Sequence, residues 1–95
     1  MAAGFIRRLF GGGGSEAATE AARERYQGLE LVATPQAEGD SWRIAGRIVR
    51  QGPDGEQVHE FVRADLLPSR DAAAEATLRK ARRIVDESGE RLFAE

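Results

Sequence analysis

Ninety-five residues, 41% hydrophobic and 32% charged, describe one small soluble globular domain with its tails and exclude a multidomain enzyme. The absence of cysteine excludes disulfide frameworks, thiolate metal sites and thiol catalysis together, and fits a reducing, cytoplasmic setting. A formal net charge of −2 is too small to name a polyanion as partner.

The first feature along the chain is an apolar group, Phe5, Ile6, Leu9 and Phe10, around Arg7 and Arg8. The two arginines split it into pieces far shorter than the roughly 7 to 15 apolar residues of a secretory core. No stretch approaches the ~20 apolar residues of a membrane span. On a helix the four apolar residues share one side, a short pattern for docking to a partner or membrane surface. The competing reading is a frayed tail, because isolated helices under about 12 residues are marginal in water. Residues 11–14 are four glycines and form a joint rather than a phosphate loop, since neither a preceding strand nor a closing Gly-Lys-Ser/Thr is present. Residues 15–25, SEAATEAARER, offer only alanine to any apolar face and predict a partly helical spacer. Residues 1–25 are therefore expected as a flexible tail and residues 26–95 as a single domain.

Within that domain the apolar period first becomes two. Residues 29–34 alternate Leu29, Leu31 and Ala33 against Glu30, Val32 and Thr34, and Pro35 with Gly39 and Asp40 ends the strand. Residues 41–51 alternate Trp42, Ile44, Gly46 and Ile48 against Arg43, Ala45, Arg47 and Val49. The Gly52-Pro53-Asp54-Gly55 turn predicts a β-hairpin into a third strand over residues 56–64. The facing of that strand stays open: either Val58, Val62 and Ala64 point inward, or His59 and Phe61 do. Ser69 is a good N-cap, and residues 70–88 carry Ala74, Leu78, Ala81, Ile84 and Val85 at helical spacing, with Gly89 to stop the helix. The expected fold class is α+β: a three-stranded antiparallel sheet packed on one C-terminal amphipathic helix, in two layers, with the other sheet face open. Trp42 is expected in the core with Leu29, Leu31, Ile44, Ile48, Leu78, Ile84 and Val85.

No catalytic set emerges. His59 is the only histidine and no strained nucleophile turn accompanies it, so neither an enzyme nor a metal or other cofactor is expected. The one constellation with functional character is Arg43 and Arg47 on the open sheet face, joined by His59, Phe61 and Arg63 if the third strand turns them outward. Such a face could lie in a DNA groove. Against this, acidic residues outnumber basic ones between positions 26 and 95.

Five segments in order, GFIRRLFGGGG at 4–14, WRIAGRI at 42–48, HEFVRAD at 59–65, SRDAA at 69–73 and LRKARRIVDESGERLF at 78–93, resemble the small bacterial family of the transcriptional activator HlyU. The resemblance implies a cytoplasmic transcriptional regulator. It carries over no DNA-contacting residue, because the long helix follows three strands and no helix-turn-helix is readable. Two readings stand: a regulator using Arg43, Arg47 and Arg63 on DNA, or an interaction module that binds a protein, or itself, through the open sheet and is tethered by residues 5–10.

Overall fold

The computed structural model describes residues 20–93, apart from the Glu90 side chain, so Phe5, Ile6, Leu9 and Phe10 lie outside the described residues. Among the described residues five antiparallel strands precede one helix: β1 (Ala22–Tyr26), β2 (Leu29–Ala33), β3 (Gln36–Glu38), β4 (Ser41–Gly52), β5 (Gly55–Leu67) and α1 (Arg70–Ser88), followed by a 3-10 turn at Gly89–Phe93. The α+β class with one helix on an antiparallel sheet holds, and the strand count is corrected from three to five. β4 is central. It pairs with β5 along one edge and with β2 and β3 in succession along the other, and β1 lies outside β2.

Both added strands have a physical cause. β2 and β3 are one line of chain interrupted at Pro35, which has no amide hydrogen to donate to the ladder. The ladder continues as far as Thr34, whose amide donates to the Ala45 carbonyl at 2.9 Å. β1 was expected as spacer helix, since Ala, Arg and Glu favour helices. It is a strand because Gln27 and Gly28, at φ 53° and 79°, make the tight turn that folds it back on β2. Two clasps then tie it to the helix. The Arg82 guanidinium donates to both carboxylate oxygens of Glu24 at 2.7 and 2.8 Å, and the Tyr26 hydroxyl donates to Asp86 Oδ1 at 2.7 Å.

α1 starts as its sequence dictates. Ser69 accepts from the Ala72 amide at 3.1 Å, and Gly89 stops the helix with its amide bonded to the Val85 carbonyl. The inward face of α1 is small: Ala73, Ala74, Ala76, Thr77 and Ala81 are buried, with Ile84 and Val85 beyond them. These pack on Leu31, Ile44, Ile48 and Phe61 of the sheet. The core aromatic is thus Phe61, 5% exposed, while Trp42 is half-buried at the β3 end of β4. Thr77, fully buried, satisfies its hydroxyl on the Ala73 carbonyl at 2.7 Å and turns its methyl toward Gly46.

Gly46 is required by this approach. A Cβ there would stand 2.5 Å from the Val32 carbonyl oxygen, 2.7 Å from Thr77 Cγ2 and 3.3 Å from Phe61 Cζ. Gly46→Ala should destabilise the fold by about 1–3 kcal/mol, as overpacking does, and be read as a lower urea midpoint at unchanged slope.

The Tyr26 clasp is also titratable. The Asp86 carboxylate beside it raises the phenol pKa above the usual 10.0. Its stabilising effect is complete below the unfolded phenol pKa and is lost as pH rises through the folded one. Tyr26 is the only tyrosine, so an ultraviolet absorbance titration should place its midpoint above 10.0 and bring it back down in Asp86→Ala.

Candidate functional site

The helix covers one sheet face, and the period of two hands the other face a defined set of side chains. From β4 these are Arg43, Ala45, Arg47 and Val49, and their partners across the ladder in β5 are Leu66, Val62, Glu60 and Val58 respectively. On the other side β2 places Val32 opposite Arg47 and Glu30 opposite Val49, and β1 adds Arg23 and Arg25. Val32, Ala45 and Val49 are buried. Val58, Val62 and Leu66 are 46%, 51% and 48% exposed and form an aliphatic row along β5.

The five residues grouped from the sequence are not brought together. Arg43 and Arg47 do share the outer face. Phe61 and His59 sit opposite Gly46 and Ile48, positions that face the helix, so the second of the two facings holds for β5. Arg63 places its guanidinium 5.6 Å from the Phe61 ring centroid, while its carbonyl accepts from Arg43 Nη1 at 3.2 Å. The register jumps here: Ala45 pairs with Val62 and Arg43 with Leu66, so three residues of β5 stand against Ile44 alone. The jump adds two residues to β5, an even number, so Leu66 stays on the face of Val58 and Val62. The period-two pattern could have revealed Val58 and Val62, and Leu66 joins them because the strand, expected over residues 56–64, runs on to Leu67.

Three of the arginines of this face, Arg43, Arg23 and Arg25, are paired with carboxylates. Arg43 grips Glu38 with two hydrogen bonds, at 2.7 and 2.6 Å. Arg23 holds both Glu20 and Glu30, and Arg25 lies 3.5 Å from Glu30. Arg47 stands opposite Glu60, and its charge, after the bond from Arg23, helps to lower the Glu20 pKa. The face is therefore an aliphatic row along β5, with Arg43 paired to Glu38 at one end and Arg47 opposite Glu60 within it. Among the described residues no group of three or more His, Cys, Asp or Glu is placed to hold a metal ion, and no helix is long and apolar enough to cross a membrane. A separate open groove of about 590 Å³ beside α1 is lined by Arg79, Lys80, Arg82 and Arg83 together with Asp65 and Asp86.

The family model described as "Transcriptional activator HlyU" matches residues 4–93, and the chain belongs to that family. Searches of curated proteins and of solved structures gave no match.

The Arg43 guanidinium, bonded to Glu38, holds that carboxyl below its ordinary value of 4.5. Stabilisation from the pair is present above the unfolded carboxyl pKa and fades as pH falls through the lowered folded one. In an NMR titration Arg43→Ala should return the Glu38 midpoint upward toward 4.5 while leaving the lowered Glu20 midpoint in place.

Proposed function

We propose that this member of the transcriptional activator family is a non-enzymatic regulator that works by holding a protein partner, itself apolar at the contact, against the outer face of β4 and β5. The observation that carries this reading is the row of Val58, Val62 and Leu66, half exposed along β5, with Arg43, already paired to Glu38, opposite Leu66. An aliphatic side chain gains roughly 1.5–3 kcal/mol on going from fully exposed to buried, so three half-exposed ones offer a worthwhile contact to a protein surface. A phosphate backbone would have to compete with Glu38, Glu20 and Glu30 for the same guanidinium groups, at sites where each exposed ion pair is worth little. DNA readout by Arg43, Arg47 and Arg63 is the weaker reading because Arg43 is already held by Glu38, Arg63 is drawn toward Phe61, and Arg47 stands opposite Glu60.

The test pairs a promoter reporter with a DNA titration. Val58→Asp should lower reporter output about 10-fold, the effect of losing about 1.4 kcal/mol of binding, with the fold retained. Arg43→Ala/Arg47→Ala should stay within about twofold of wild type, a difference of less than about 0.5 kcal/mol. Amide shifts on β4 and β5 that appear with a DNA duplex at about 50 mM salt and reverse at about 200 mM would overturn the reading in favour of DNA on this face. Shifts confined to residues 79–83 would overturn it in favour of the groove beside α1.

A further inference from the structure

We propose that a second copy of this chain pairs with the first along the free edge of β5, antiparallel, about a two-fold axis through Val62. The strand runs 13 residues and pairs on one side only, with β4, among the described residues. Its other edge presents backbone donors and acceptors of the kind that recruit a further strand. β5 continues as a strand through Leu67, with the register jump confined to residues 63–65 opposite Ile44.

The side chains of β5 select the register. In an antiparallel pair about Val62, residue positions that sum to 124 stand opposite one another. Val58 meets Leu66 of the second copy, Val62 meets Val62, and Glu60 meets Ala64. On the helix side His59 meets Asp65 and Phe61 meets Arg63, repeating between copies the cation and ring contact that exists within one copy at 5.6 Å. The two registers shifted toward the Gly55 turn are worse. Pairing about Glu60 sets that glutamate against itself, and pairing about Val58 sets Glu56 against Glu60, like charges that destabilise a cross-strand pair. Residues directly opposite share a face, so both helices lie on the same side of the joined sheet. The outer faces then merge, and the aliphatic row doubles to Val58, Val62 and Leu66 from each copy. This deepens the proposed function by making the docking row continuous between copies, but the pairing itself does not depend on a partner or on transcription.

Because Val62 faces itself across the axis, the test can be made specific to this register. Sedimentation velocity of the full chain from about 1 µM to 1 mM should show wild type moving from 10.3 kDa toward twice that mass. Val62→Asp and Val62→Lys should each weaken self-association about 10-fold, since each sets like charges opposite on the axis. An equimolar mixture of the two should regain the dimer, as aspartate then meets lysine. Val62 is half exposed, so both variants should keep the wild-type far-UV spectrum. In wild type, hydrogen exchange over residues 58–66 should slow as concentration rises. A wild type that stays monomeric throughout, variants that associate as tightly as wild type, or a mixture no more dimeric than its components would each overturn the proposal. The reporter assay separates failure of this pairing from failure of the functional reading, because mass and promoter output are read independently.

Discussion

The approach of α1 to β4 at Gly46 sets the terms for the rest of the molecule. The helix meets the sheet through alanines and the Thr77 methyl, and the strand beneath yields by having no side chain. The gap beside a strand glycine is filled from the neighbouring strand, where the Phe61 ring reaches across its cross-strand partner Gly46. That choice fixes the parity of β5. With Phe61 inward, every second residue from it points away, and Val58 and Val62 have nowhere to go but the outer face. The exposed aliphatic row is thus a geometric consequence of a glycine on another strand.

Electrostatics on the outer face follow the same frame. The short β3 exists because Pro35 breaks a longer strand, and it carries Glu38 to within hydrogen-bonding reach of Arg43. β1, folded back by its left-handed turn, carries Arg23 to Glu20 and Glu30. Guanidinium groups held in this way keep their charge but lose part of their freedom to meet a new anion. Exposed aliphatics between mutually satisfied charges match the anatomy of a protein contact, with an apolar centre and a polar rim.

Much of the fold was legible in the residues because its strongest signals are local. The period of two in residues 41–51, the Pro53-Asp54 turn, the Ser69 cap and the helical spacing after it all act within a few positions of one another. β1 was hidden because its residues prefer a helix in isolation, and the clasps that override the preference, Glu24 with Arg82 and Tyr26 with Asp86, span about sixty positions. β3 is hidden in the sequence because Gln36, Ala37 and Glu38, short and exposed beside a proline, look like a loop. The site was legible by half. Arg43 and Arg47 share a face as alternation demands, but the facing of β5 turns on a contact between Phe61 and Gly46 that no local pattern records. Trp42 misled in the same way, since its size suggested the core while the centre of the sheet belongs to Phe61.

The strand order carries a consequence for how the chain leaves the ribosome. Each strand pairs with one close to it in sequence, so the sheet can close hairpin by hairpin from β1 onward with short loops and little chain entropy lost at each step. The helix that seals Leu31, Ile44, Ile48 and Phe61 is made after all five strands. Until it emerges, a nearly complete sheet presents two apolar faces to solvent rather than one. The interval between synthesis of β5 and docking of α1 is when this chain most needs protection from association with other nascent chains.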